Sequence, residues 1–189
     1  YKNREIILLD DNSADKTYTL ASSFSKSNVK VLIGKELPHD WLGKNWACHQ
    51  LAQEAKGEYL LFVDADVELT PEVISSAVYE LEKSKAALLS IFPTQIIKSF
   101  GEHLIVPLMN WLLLTFLPLR FVYSSSSKAF VAANGQFMLW RKDDYFKIGG
   151  HETIKNKVVE DMELARLAKQ NKLKVKTMLG GKLVFCRMY

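Results

Sequence analysis

The chain has 189 residues, 48% of them hydrophobic and 24% charged, with a net charge of +4. That apolar content excludes a disordered chain and suffices for one domain, residues 1 to 189, with a substantial core. The lysines, among them Lys26, Lys30, Lys83, Lys155 and Lys172, are scattered and not gathered in aromatic-interleaved patches, which argues against a nucleic-acid partner.

In chain order, Glu5 to Asp10 (EIILLD) reads as a buried strand, Ala14 to Ser25 as a helix started by Ser13, and Val29 to Ile33 as the next strand. Gly43 to Lys56 reads as a helix and Tyr59 to Val63 as a strand. Pro71 to Lys83 reads as a helix with Thr70 as N-cap and proline at its first position, and Ala86 to Phe92 closes the series as a strand. Short Ile/Val/Leu runs alternating with amphipathic segments predict an α/β fold with helices on a mostly parallel sheet. Then come an apolar stretch, a loop with Ser124 to Ser127 and strand-like GQFMLW at 135 to 140. A helix from about Glu160 to Asn171 and short strands around Val175 and Val184 complete the pattern.

Cys48 and Cys186 lie far apart and outside C-x-x-C spacing, and the four histidines lack ligand spacing, so a reduced compartment is expected. The sequence opens at Tyr1 without Met and has no signal peptide to read, as a segment of a longer chain would.

Three acidic motifs can carry chemistry. LLFVDADVEL ends a strand in Asp64 and Asp66, at the sheet edge where α/β folds bind ligands. Strand alternation would send both carboxylates to one side, suiting Mg²⁺ or Mn²⁺ ligation, although a plain polar strand exit reads the same way. EIILLDDNSAD brings Asp10 and Asp11 to the same edge; Asn12 or Ser13 can serve as simple caps, while adjacent acids there favour a ligand at Asp11. KVVEDMELARLAK sets Glu160 and Asp161 at a helix start, as ordinary dipole partners or, facing the other acids, as a general base.

Taken together, DDNSAD at 10 to 15, WLGKNWACHQ at 41 to 50, FVDADV at 62 to 67, GQFMLWRKDDYFKIGGH at 135 to 151, VVEDMELARLAK at 158 to 169 and RMY at 187 to 189 resemble the family-2 inverting glycosyltransferases of the GT-A fold. The W-x-GK-x-x-A element, GGH and RMY most resemble the subgroup that glycosylates carotenoid acids and hopanoids. The resemblance implies Asp161 as catalytic base with Glu160 beside it. It implies Asp11 and Asp10 at the nucleobase or ribose, Lys44 near the nucleotide, and Asp64 near the ribose or metal. It further implies Asp66 as metal ligand, Gly135 and Gln136 on the acceptor side, and Arg187 at the diphosphate. The implied reaction is transfer from a nucleotide-sugar, with a UDP-sugar the expected donor, to a hydroxyl or carboxyl of a hydrophobic acceptor, assisted by Mg²⁺ or Mn²⁺. The family also has a first strand and a P-A-x-N-E type loop with no counterpart before Tyr1, so the segment is expected to lack that strand.

Residues 104 to 119, LIVPLMNWLLLTFLPL, carry no charge. Sixteen helical residues reach roughly 24 Å at about 1.5 Å each, short of a hydrocarbon core near 30 Å, and Pro107, Asn110 and Pro118 weaken a spanning helix. A crossing here would also put Asp64 and Asp66 across the bilayer from Asp161. The segment at 101 to 122 is therefore either a core helix or, as preferred, an interfacial one with Trp111, Leu112 to Leu114, Phe116 and Leu117 in the lipid boundary at the cytoplasmic face of the cell membrane. Two other functions share parts of the pattern. A haloacid-dehalogenase-like phosphatase would use Asp64 as nucleophile but leaves the Glu160-Asp161 helix and RMY unexplained. A non-catalytic domain would bind nucleotide-sugar without turnover.

Overall fold

A computed structural model describes residues 3–25, 28–116 and 119–187. Lys26, Leu117, Pro118, Met188 and Tyr189, and the side chains of Asn110, Leu113 and Leu114, lie outside what is described. The elements run β1 (Ile6–Asp10), α1 (Thr17–Ser23), β2 (Val29–Ile33), α2 (Gly43–Glu54), β3 (Tyr59–Val63), β4 (Val67–Leu69), α3 (Val73–Ser84), β5 (Leu88–Phe92) and β6 (Thr94–Gln95). They continue with α4 (Phe100–Phe116), α5 (Leu119–Ser124), β7 (Phe137–Arg141), α6 (Lys142–Lys147), α7 (Gly150–Thr153), α8 (Glu160–Gln170), β8 (Val175–Leu179) and β9 (Val184–Cys186).

The α/β class holds, with mixed sheets. A parallel pair β1-β2 stands beside a four-stranded sheet ordered β3-β7-β5-β8 and a three-stranded sheet ordered β4-β9-β6. The pairings β1/β2, β5/β8 and β6/β9 are parallel, whereas β7 runs antiparallel to both β3 and β5, and β4 antiparallel to β9. Continuous apolar runs such as FMLW identify a strand buried on both faces but carry no information about its direction.

Alternation along β7 and β5 builds two cores. Met138, Trp140 and Leu88 pack with Leu164, Ala165 and Ala168 of α8 and Val122 of α5 on one face. Phe137, Leu139, Leu89 and Ile91 pack with Val73, Ala77 and Leu81 of α3 on the other. A sheet sealed on both faces is hard to deform, so its strand ends are fixed points.

Two helix starts differ from the sequence reading. α1 begins at Thr17, where Asp15 Oδ1 accepts from the Thr17 N–H at 2.9 Å; Asn12 sits left-handed at φ 58°, and Ser13 only donates its N–H to Asp10. α3 begins at Val73, and Thr70 contributes its carbonyl, 3.2 Å from the Val73 N–H, not its hydroxyl. In each case a turn precedes the helix, and a turn-forming residue looks like a cap in sequence.

The GGH motif is structural. Gly149 and Gly150 have φ of 82° and 53°, and a Cβ on Gly150 would stand 2.5 Å from the Tyr145 ring. That close approach lets the buried Tyr145 hydroxyl accept from the His151 N–H at 3.1 Å and reach His151 Nδ1 at 2.7 Å. Burial, with His49 and Lys44 in the same direction, holds the imidazole at about 3, well below its ordinary 6.5. The unfolded chain therefore takes up this proton below 6.5 while the folded chain refuses it until about 3, so stability falls as pH drops through that window. Thermal midpoints measured from pH 7 down to pH 4 should decline, and His151→Gln should flatten the decline; an unchanged slope in the variant would remove His151 as its source.

Candidate active site

Two of the acidic motifs end framework strands, and the third opens α8. β1 delivers Asp10 and β3 stops at Val63, leaving Asp64, Ala65 and Asp66 in a turn before β4, closed by the Val67 N–H to Asp64 carbonyl bond at 3.2 Å. Alternation therefore does not extend through Asp66: the turn, and not a strand face, orients the pair, and the two side chains engage different partners. Asp64 is also held through its backbone, whose N–H donates to the Gln136 carbonyl at 3.3 Å just before β7.

The side chain of Asp64 meets the helix carrying Lys44. The Lys44 ammonium lies 3.1 Å from Asp64 Oδ2 and 2.9 Å from Glu160 Oε1, bridging the strand-end acid to the first residue of α8. The register of this bridge comes from Asn45, buried next door, whose Nδ2 lies 3.0 to 3.1 Å from the carbonyls of Ile154, Lys155 and Lys157. The Leu42 N–H adds a bond of 2.9 Å to the Lys155 carbonyl. Burial opposes the charge on Lys44, but Glu160 and Asp64 outweigh it and raise the ammonium above the ordinary lysine range. Gly135 leaves the necessary room: a Cβ there would sit 2.9 Å from Glu160 Oε1 and 3.2 Å from Lys44 Nζ.

Gly135 also contacts the next acid. Its N–H donates to Asp161 Oδ2 at 2.9 Å, while Asp161 Oδ1 accepts from the Met162 N–H at 2.6 Å. Both oxygens are fixed, and each keeps a lone pair for a further proton. Burial raises the Asp161 carboxyl above its ordinary value, with Glu160 adding in that direction against the two N–H bonds and Lys44. That is the shift expected of a group poised to accept a proton.

Asp66 is tied elsewhere. Its Oδ2 accepts from the Cys186 thiol at 3.2 Å, and Cys186 Sγ in turn lies 2.9 Å from Gln136 Nε2. Burial, then Asp66, pushes the Cys186 thiol up to about 11, so it remains a donor at neutral pH. Arg187 follows at once, its Nη1 buried without a hydrogen-bond partner among the described residues. At the other end, Asp10 Oδ1 is likewise buried and unpaired among the described residues, and Asp10 Oδ2 accepts from the Ser13 N–H at 3.2 Å. Asp11 is exposed and faces two glycines, where added Cβ atoms would stand 3.1 Å (Gly34) and 3.6 Å (Gly43) from its oxygens. Direct contacts string together Lys44, Asp64, Glu160, Asp161, Gly135 and Gln136, and Cys186 adds Asp66 to them; Arg187 joins only as the chain neighbour of Cys186, and Asp10 and Asp11 lie beyond Gly43, the neighbour of Lys44, without a direct bond to the string among the described residues. Sequence reasoning missed Asn45 and Cys186, the two buried residues that set the string's spacing, because neither type advertises a positioning role.

No group of three or more His, Cys, Asp or Glu side chains able to hold a metal occurs among the described residues. The Lys44 ammonium nevertheless pairs with Asp64 and Glu160 alone, and leaves the Asp66 carboxylate without a cationic partner in these contacts, which favours an added cation. Mg²⁺ and Mn²⁺ sites of one or two carboxylates, completed by phosphate oxygens and water, match a pair such as Asp66 and Asp64.

Comparison with known proteins gives the family and the fold. The "4,4'-diaponeurosporenoate glycosyltransferase" of Staphylococcus haemolyticus is 29% identical over 187 residues, and its Staphylococcus aureus (USA300) counterpart 30% over 190. Each alignment covers 98% of this chain and 49% of the relative, so the chain spans about half the length of these relatives. Among solved structures, the mannosyltransferase PcManGT of Pyrobaculum calidifontis with GDP-Man and Mn²⁺ superposes with a TM-score of 0.68 at 16% identity, over 97% of this chain and 47% of that one. TarS 1-349 of S. aureus with UDP-GlcNAc superposes at 0.62 and 17% identity, over 98% and 50%. The family model described as "Glycosyl transferase family 2" matches residues 1–145, more than half of the sequence, and the chain belongs to that family.

Proposed function

We propose that this chain carries the catalytic part of a glycosyltransferase that moves a sugar from a nucleotide-sugar to a hydroxyl or carboxyl of a hydrophobic acceptor, by single displacement with inversion. The observation that carries the proposal is the Lys44 bridge, which joins the Asp64 turn to the Glu160-Asp161 helix start. The names of the relatives support a carotenoid-type acceptor, and UDP-GlcNAc and GDP-Man in the structural neighbours support a nucleotide-sugar donor, with UDP-sugars the first to test. A phosphatase gains nothing here: the would-be nucleophile Asp64 is held by Lys44, and the family match is to transferases.

In this reading Asp10 and Asp11 hold the nucleobase or ribose, and Lys44 and Arg187 lie toward the diphosphate, where a guanidinium can bind two oxygens at once. Asp66, with Asp64, would hold Mg²⁺ or Mn²⁺, which supplies positive charge to the leaving diphosphate. Gly135 and Gln136 border the acceptor. The acceptor oxygen bonds to the anomeric carbon as the bond from that carbon to the diphosphate breaks, and Asp161 takes the hydroxyl proton. A non-catalytic binder would keep the donor contacts and show no transfer.

The acceptor side is where α4 enters. Phe100, Leu104, Ile105, Leu108, Trp111, Leu112 and Phe116 are all exposed, as is Phe121 of α5, which supports the interfacial reading of this helix over the core one. Among the described residues no helix is long and apolar enough to cross a membrane. An exposed apolar helix ending near Arg120 fits the lipid boundary, on the cytoplasmic face where nucleotide-sugars are at hand.

Asp161→Asn should cut transfer to a hydroxyl acceptor by about 100-fold or more while sparing donor binding in calorimetry. A carboxylate acceptor arrives without a proton to remove, so its loss should be clearly smaller; equal, near-normal turnover with both would dismiss Asp161 as base. The raised Asp161 carboxyl also predicts a rate profile whose acid limb lies above the 3.8 of an ordinary aspartate, and a limb at or below that value would contradict its assignment. For α4, Leu108→Glu with Trp111→Glu should lower binding to liposomes of anionic lipid without changing donor binding, and retained liposome binding would dismiss the helix as the anchor.

A further inference from the structure

We infer that Cys186 is a positioning residue for Asp66: the bonds from Gln136 to the thiol and from the thiol to Asp66 set the orientation of the carboxylate proposed to bind the metal. The inference rests on the function proposed above and deepens it.

The geometry is directional. Gln136 Nε2 has hydrogens to give and approaches Cys186 Sγ at 2.9 Å; the thiol has one hydrogen, and Asp66 Oδ2 accepts it at 3.2 Å. Asp66 otherwise sits exposed in a turn, where a short carboxylate would sample several rotamers. Engaging one oxygen removes that freedom and leaves Oδ1 for a cation. Ligating carboxylates are commonly held in this way by a partner that does not touch the metal.

Cys186 and Gln136 are anchored to different sheets. Cys186 is fully buried and its backbone is held from two sides, in register with Val67 of β4 and with Gln95 of β6, and its carbonyl accepts from the Ile96 N–H at 2.8 Å. Gln136 is fixed by its N–H to Asn134 Oδ1 at 2.8 Å, and Asn134 by its own N–H to Ser90 Oγ at 2.8 Å in β5. The Gln136 carbonyl takes the Asp64 N–H. One residue thus fixes both acids of the turn, Asp64 through its backbone and Asp66 through the thiol. Cysteine suits the middle position because it bridges with a long, soft sulfur; serine keeps the donor and shortens the reach.

The test measures Mn²⁺ affinity in the presence of UDP, by titration calorimetry, for the wild type, Cys186→Ala, Cys186→Ser and Gln136→Leu. Cys186→Ala should weaken Mn²⁺ binding by about 10-fold, with Cys186→Ser intermediate. Gln136→Leu should act in the same direction, and the double variant Cys186→Ala/Gln136→Leu should fall short of the summed effects, since both remove one relay. A merely structural cysteine would lower the metal-free thermal midpoint and leave Mn²⁺ affinity unchanged, and that result overturns the inference. If Cys186→Ala does not fold, Cys186→Ser and Gln136→Leu decide the question in the same way. A wild type that binds no nucleoside diphosphate with Mn²⁺ would sink the proposed function and the relay with it, whereas normal wild-type binding with unchanged variants would sink the relay alone.

Discussion

A single ammonium group holds the acidic site together. Asp64 ends one strand and Glu160 begins one helix, and folding brings them to opposite sides of Lys44 at 3.1 and 2.9 Å. Without that cation the two carboxylates, with Asp161 adjoining, would repel one another and splay the helix start from the strand end. The pair is partly exposed, so its contribution to stability is small, and its importance lies in spacing. Gly135 sets the limit of that spacing, since any side chain would occupy the volume that Glu160 and Lys44 share.

Precision at the acidic site comes from rigidity beneath it. The four-stranded sheet is packed on both faces, by α8 and α5 on one side and α3 on the other, so the ends of β3 and β7 move little relative to the start of α8. Buried polar residues then convert this rigidity into register. Asn45 fastens α2 to the segment before α8, and Lys169 reaches the carbonyls of Ser125 and Phe130 at 2.8 and 2.5 Å, fastening α8 to the loop after α5. Each binds backbone carbonyls far away in sequence, a contact whose partner no local pattern reveals.

That distinction explains what could be read in advance. Strands β2 and β3 were legible to the residue because a run such as YLLFV between polar turns has few alternatives, and the helix start at Glu160 was legible from its acidic first turn. Asp66 was legible as a candidate, but its orientation was not, since the strand period stops at Val63 and a turn takes over. The direction of β7 was hidden for a related reason: strand pairing is a long-range choice, and Phe137 to Arg141 would look the same in either sense. GGH carried a family resemblance, and the close contact of His151 with Tyr145 that Gly150 makes room for was not legible in it. Cys186 gave no signal because a lone cysteine ordinarily behaves as a small apolar residue.

The apolar helix is the element that local physics alone explains least. Seventeen residues of α4 hold a helix while most of the described large side chains face solvent, an arrangement without the tertiary packing that usually stabilises a helix. What anchors it is its start: Glu102 accepts from the Lys98 N–H at 2.7 Å and from Ser99 Oγ at 2.9 Å, and its carboxyl is held low by those bonds with a smaller pull from Arg187. Arg187, the cation proposed for the diphosphate, is the source of that smaller pull, so it lies on the same side of the molecule as the first turn of α4. The helix proposed to meet a lipid surface is thus held at its first turn, by the bonds of Glu102, and not by packing along its length, which leaves its apolar side chains for a surface outside this fold.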